Sequence, residues 1–374
     1  MGTTERFDVV VIGGGQQGLA AGWHLRSTGR SFVILDAHDR VGDAWRGRWD
    51  SLRLFTPARH SGLPGWTFPA AGWSFPTKDD MAAYLEAYAE RFSLPVRTGV
   101  RVEELCERGG RYVARAGTAE YVADDVIVAT GGFPAPRIPA FVSELDPTIH
   151  QLHSSAYRNP SSLVDGPVLV VGAGNSGAEI ALESARDRKT WLAGRHPGHI
   201  PFDTQGFMAR ILLERIVLRV VFHRLLTLDT PLGRRAKPKV LSQGMNLIRV
   251  RPKDYDEAGV ERVPRVAGVR DGRPHLDDGR VLEPANVVWA TGYYLDWSWA
   301  RVPGFGAGEP EHRRGVVAGA PGVYVLGLEF LYSFSSEQIQ GTLRDPGYVV
   351  SHLDQRPRAT SGRHEAIDVA APSS

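Results

Sequence analysis

The chain has 374 residues, 42% of them apolar and 23% charged, the balance of a globular protein with room for two domains. Its net charge of +2 gives no electrostatic case for nucleic acid or for an anionic membrane. One cysteine, Cys106, excludes an internal disulfide, a CxxC redox pair and a cysteine-based zinc site.

The apolar run Val9 to Ile12 predicts a buried parallel strand, since both its faces must be covered. It stops at Gly13, and Gly13, Gly15 and Gly18 space out a GxGxxG turn, with Gln16 between them. Gln17 to Leu25 then reads as a helix, and Phe32 to Leu35 as a second strand ending on Asp36. This is the dinucleotide-binding fingerprint in its required setting of strand, turn, helix and strand. Gly13 permits the turn, Gly15 lets backbone approach a pyrophosphate, and Gly18 lets the helix pack close. Asp36 can accept hydrogen bonds from ribose hydroxyls. Which dinucleotide binds is left open by the fingerprint itself.

An irregular stretch from Ala37 to Trp66, dense in Gly, Pro, Trp and Arg, has the character of a site-lining segment. Asp79 to Phe92 predicts an amphipathic helix with Asp79 as N-cap and its tyrosines packed in the core. Pro95 to Asp124 reads as short strands with a hairpin at Gly109-Gly110. Val126 to Gly131 is a buried strand delivering an Ala129-Thr130-Gly131 turn, and the proline-rich Gly132 to Pro139 reads as an inter-domain connector.

The opening unit then recurs. Val168 to Val171 is the strand, Gly172, Gly174 and Gly177 the turn, Ala178 to Ala185 the helix, and Thr190 to Leu192 the second strand. Arg195 follows Gly172 by 23 residues, as Asp36 follows Gly13 by 23. An acid accepts from free ribose hydroxyls, whereas an arginine accommodates a 2′-phosphate, so the second unit is expected to prefer NADPH. The Thr-Gly turn recurs too, as Thr291-Gly292 after Val288. The apolar stretch 206–226 reads as an inserted helix, open to roles as a lid, a membrane-surface helix, a homodimer face or a helix packed on its own domain. The small, polar residues 356–374 read as a disordered tail.

Taken together, GGGQQGLAAG, VGDAWRGRWDSLRLFTPA, VIVATGGFPAPRIP, HSSAYR, VGAGNSGAEIA, VVWATGY and GTLRDPGYV resemble the class B flavoprotein monooxygenases. The likeness runs from about Phe7 to Leu353 and points to the bacterial CzcO-like or YUCCA-like group. It implies an α/β fold of two dinucleotide-binding Rossmann-like domains in the glutathione-reductase-like arrangement. The FAD domain would comprise residues 1–139 and 288–355, the NADPH domain 140–287. FAD would lie on Gly13, Gly15, Gln16, Gly18 and Asp36, bordered by Trp45, Arg46, Val102, Ala129, Thr130 and Gly131. NADPH would lie on Gly172, Gly174, Asn175, Ser176, Gly177 and Arg195, and Thr291 and Gly292 would also contact a cofactor. In such enzymes NADPH reduces the flavin, O₂ adds at C4a, and a soft nucleophile takes the distal oxygen of the hydroperoxide. The expected substrate is a small amine, sulfide or 2-oxo acid.

Two departures matter. Tyr157 stands where Baeyer–Villiger enzymes carry Trp, and Ser51 to Pro57 lacks the Asn that eukaryotic-type members place near the flavin. The residue that orients substrate is therefore not assigned. Baeyer–Villiger oxygenation, a non-oxygenating NADPH oxidase or reductase, and a non-catalytic flavin-binding sensor stay open as alternatives. His150 and His153 show no ligand partners, so no metal is expected. Asp345, Ser335, Ser336 and Gln338 are further candidates for flavin contact. No run reaches the ~20 apolar residues of a bilayer span, and no secretory leader is recognisable, so a cytoplasmic location is expected.

Overall fold

In the first repeat, β1 (Thr4–Ile12) leads into α1 (Gln16–Leu25) and then β2 (Phe32–Leu35). The computed structural model describes residues 2–132, 135–199, 224–243, 246–306 and 308–357. Val9 to Ile12 are almost wholly buried because β1 lies between β2 and β4 (Ala119–Val128), parallel to both. β2 in turn pairs with β3 (Val96–Arg97). The first half of β4 also pairs with the hairpin strand Arg111–Ala116, which turns at Gly109-Gly110 as the sequence predicts.

α2 (Lys78–Arg91) is the expected amphipathic helix, but its N-cap is Thr77, not Asp79. The Thr77 hydroxyl accepts from Asp80 N while Asp80 accepts from Thr77 N, a capping box that Asp79, two residues past the cap, cannot make. Its tyrosines are core residues. Tyr84 and Tyr88 donate to Trp66 O and Pro64 O at 2.6 Å each, tying the irregular segment to the helix.

The second repeat builds its own sheet from β5 (His150–His153), β6 (Val168–Val171), β7 (Thr190–Ala193), β8 (Val260–Val263) and β9 (Asn286–Trp289). α3 (Asn175–Ser184) joins β6 to β7, and α4 (Pro252–Ala258) precedes β8. Strand order is β8-β7-β6-β9-β5, all parallel. With β10 (Val323–Val325) beside β4, the first sheet contains the matching series β3-β2-β1-β4-β10. The repetition seen in sequence is thus a repetition of topology.

β9 pairs with β6 and β5, so a boundary between residues 287 and 288 falls inside a strand of the second sheet. The Thr291-Gly292 turn goes with that sheet. Two chain segments link the sheets, and they pair with each other: Ala135-Pro136 runs antiparallel to Tyr293-Tyr294. α5 (Asp345–Asp354) returns to the first core, where Val349, Val350 and Leu353 meet Leu19 and Leu25 of α1. Of the stretch 206–226, residues 206–223 lie outside the described residues. So does the tail from 358 onward.

Candidate functional site

Each glycine turn is shaped by a neighbouring backbone. Gly13 has φ +110°, and a Cβ there would lie 2.4 Å from Ala129 O. A Cβ on Gly18 would lie 1.9 Å from Gly13 O, so only glycine lets α1 start against the turn. Gly15 faces open space, and the amides at the start of α1 have no side-chain cap. A cradle of this kind, open in front and rich in unpaired N–H groups, fits a pyrophosphate. The second turn repeats this closely. Gly172 has φ +109° with Ala290 O at 2.2 Å from a Cβ, Gly177 abuts Gly172 O, and Gly174 is open before the uncapped α3.

Strand register corrects one inference from counting. Ile12 pairs with Leu35, and Val171 with Ala193, so Gly194 holds the place of Asp36 and Arg195 comes one residue later. The link from first to second strand is one residue shorter in the second repeat, so equal counts land on neighbouring positions. Chemistry differs accordingly. Asp36 is buried, accepting from Gly14 N at 2.5 Å and from His38 N at 2.8 Å, with His38 Nδ1 also 2.8 Å away. Burial would raise its pKa, but the hydrogen bonds from His38 and Gly14 outweigh this and hold it low. Gly194 brings no carboxylate, and Arg195 is exposed with no hydrogen-bond or ionic partner among the described residues.

The other expected site residues divide between the two turns. Trp45 Nε1 donates to Gln16 Oε1 at 3.2 Å, placing the indole beside the first turn. Ala129 N donates to Ile12 O, Thr130 N lies against Gly13, and Gly131 follows it in the chain. Val102, half-buried, ends a segment that leaves Asp36 through the bond from Val100 N to Asp36 O. Arg46 is engaged elsewhere: its guanidinium donates to Val41 O, Asp43 and Glu86. In the second turn Asn175 is tied to residues 246–248, accepting from Ile248 N at 3.0 Å, while Ser176 stays half-exposed. Thr291 donates to Arg137 O, and the Gly292 carbonyl accepts from Arg137 N and faces His153 Nε2 at 3.1 Å. His153 thereby braces the Gly292 turn.

Several residues had no signal in the sequence. Arg249 donates to Leu54 O, stacks on Phe55 and Phe75, and lies 3.9 Å from Glu179 of α3, bridging the irregular segment and the second sheet. Burial pushes Glu179 up to about 6 despite that cation. Gln17 Nε2 donates to Ser336 O, joining α1 to the C-terminal segment. Next to it, burial and the charge of Glu329 push Glu337 up to about 8. Asp345 is taken by Arg344 at 2.6 Å, and Arg344 also donates to Ser333 and Ser336. A cavity of about 780 Å³ opens nearby, with Arg59, Leu63, Trp66, Arg224 and Gln340 among its walls.

Comparison with known proteins agrees with this geometry. The pyridine nucleotide-disulphide oxidoreductase family matches residues 10–196, half of the chain. A CzcO-like oxidoreductase of Geobacillus kaustophilus is 36% identical over 92% of this chain and 98% of its own. The chain belongs to this family. Within these oxidoreductases it is flavin-monooxygenase-like. A flavin-containing monooxygenase from Stenotrophomonas maltophilia shares 29% identity at a TM-score of 0.75, over 93% of this chain and 98% of that one. Indole-3-pyruvate monooxygenase YUCCA1 of rice is 33% identical over 228 residues, 58% of this chain and 56% of its own. Membership makes the protein a flavin-dependent oxidoreductase.

Proposed function

We propose that the chain is an NADPH-dependent flavin monooxygenase, with FAD on the first glycine turn and NADPH on the second. One observation carries the reading: two glycine cradles of matching shape in one chain, the first closed by the acid Asp36, the second by Gly194-Arg195. Bound FAD would supply the hydride acceptor and the activation of O₂. The chain supplies the rest. Gly13, Gly15, Gly18 and the start of α1 would hold a pyrophosphate, and Asp36 would hold the ribose. Trp45, Gln16, Val102 and Ala129 to Gly131 would border that cofactor. Gly172, Gly174, Asn175, Ser176, Gly177, Thr291 and Gly292 would seat the second dinucleotide, with Arg195 on its 2′-phosphate. Glu337, whose carboxyl is raised to about 8, holds a proton at neutral pH beside the Gln17–Ser336 contact.

The oxygenated substrate is a small soft nucleophile, an amine or sulfide, or a 2-oxo acid. The cavity favours the acid. Arg59, Arg224 and Gln340 suit a carboxylate, with Trp66 and Leu63 beside them for a flat apolar body. Disulfide reduction lacks the cysteine pair it needs, since the only thiol, Cys106, lies on the strand Glu104–Arg108 paired with Val113. The deciding experiment mixes the NADPH-reduced protein with O₂ in a stopped-flow spectrophotometer, NADP⁺ present. A long-lived transient distinct from oxidised and reduced flavin supports oxygen transfer. Direct return to oxidised flavin refutes it in favour of an oxidase or reductase.

A further inference from the structure

The aligned registers of the two repeats expose a second charge difference beyond the loss of the acid. In the first sheet Ile34 pairs with Val96, and in the second the equivalent Leu192 pairs with Arg262. An apolar residue of the first core is thus replaced by an arginine one strand away from Arg195. Its Nη2 donates to Gly194 O at 2.6 Å, fixing the carbonyl of a residue held at φ +123°. The guanidinium lies over the Tyr255 ring at 5.6 Å, and its Nη1 is buried without a hydrogen-bond partner among the described residues. The neighbouring His196, which accepts from Gly198 N, is held neutral by burial and then by the charges of Arg262 and His199.

We infer that Arg262 is a second determinant of nucleotide specificity: it fixes the Gly194–Arg195 turn and adds a positive charge for a 2′-phosphate. The inference rests on the reading of the second turn as the NADPH site. Removing the acid at position 194 only ends repulsion of a phosphate. Attraction requires cations, and a phosphate dianion gains most from more than one. Arg195 is exposed and makes no hydrogen bond among the described residues, whereas Arg262 is anchored by the Gly194 carbonyl and Tyr255. Its charge is therefore fixed at the turn where a 2′-phosphate would sit, with little ordering cost.

The test is calorimetric titration of the flavin-loaded, full-length protein with 2′,5′-ADP and with 5′-AMP. Arg262→Val installs the residue of the first repeat, and Arg262→Lys keeps the charge. The expected result for Arg262→Val is 2′,5′-ADP binding weakened about tenfold or more, as for loss of a charge-assisted contact, with 5′-AMP within about twofold. Arg262→Lys should recover part of the loss, and the KM for NADPH should rise while that for NADH stays level. Equal weakening of both nucleotides, or no weakening of either, overturns the inference. Should the unmodified protein itself fail to prefer 2′,5′-ADP over 5′-AMP, the NADPH reading falls, and this one with it.

Discussion

The hydroxyl of Tyr157 donates to Glu183 Oε2 across 2.8 Å inside the second core. Tyr157 is fully buried, and burial followed by the bond to Glu183 drives the phenol well above its ordinary pKa. The tyrosine of the HSSAYR stretch is therefore a post under α3 and not a wall of the reaction site. Tyr157→Phe should cost about 1–3 kcal/mol, the penalty for leaving a buried carboxylate short of a donor. Turnover per bound flavin should be unchanged. Denaturant melts and steady-state rates check both, and a rate loss at unaltered stability would contradict the placement.

Cofactor assignment can be tested with two matched glycine substitutions. Cβ atoms on Gly18 and Gly177 would lie 1.9 and 1.8 Å from the carbonyl oxygens of Gly13 and Gly172. Neither backbone can yield without moving a helix, and overpacking of this kind costs about 1–3 kcal/mol. Gly18→Ala should emerge from purification depleted of flavin. Gly177→Ala should stay yellow while its NADPH affinity falls by about tenfold or more. The opposite pattern would mean that the two turns hold each other's cofactors.

Much of this was legible because glycine turns are set by local backbone geometry. Gly13, Gly18, Gly172 and Gly177 are required by carbonyls only a few Å away, and such requirements leave a spacing in sequence. Partners distant in sequence leave none. Arg46 looked available for a cofactor, but Glu86, 40 residues on, engages it. Arg262 reaches Gly194 across 68 residues through a strand pairing that no periodicity announces. Counting also misled by one residue, because the loop between strands changed length while the sheet register did not. Likewise Val288 to Gly292 echoes Val126 to Gly131 in sequence, yet its strand belongs to the second sheet and not the first.

His38 and Asp36 form a pair whose pH signature has a definite sign. The Asp36 hydrogen bond raises the His38 pKa above 6.5, so the pair's stabilisation is full below 6.5 and fades as pH rises through the folded value. Asp36, held below 3.8, contributes above that value and loses its contribution only as pH falls through its folded one. His38→Ala should therefore lower the melting temperature most at about pH 5.5 and hardly at all at about pH 9. A deficit constant from pH 5.5 to 9 would show that packing, not charge, is what His38 contributes.

Glu337 carries the reverse dependence. Burial, then the Glu329 charge, raise it from 4.5 to about 8, so the folded protein keeps a proton there that the unfolded chain has lost. Stability must fall as pH climbs from 4.5 to 8 and level off beyond, because the unfolded state binds fewer protons in that window. Glu337→Gln removes the titration while keeping the shape. Relative to the unaltered protein, its melting temperature should be about equal at pH 5 and progressively higher up to about pH 9. Asp345, paired with Arg344 at 2.6 Å, makes the natural control, since Asp345→Asn removes the counter-charge of a partly buried arginine and should destabilise at neutral pH. If Glu337→Gln instead loses stability as pH rises, the carboxylate is ionised in the fold, and no proton is held beside Ser336.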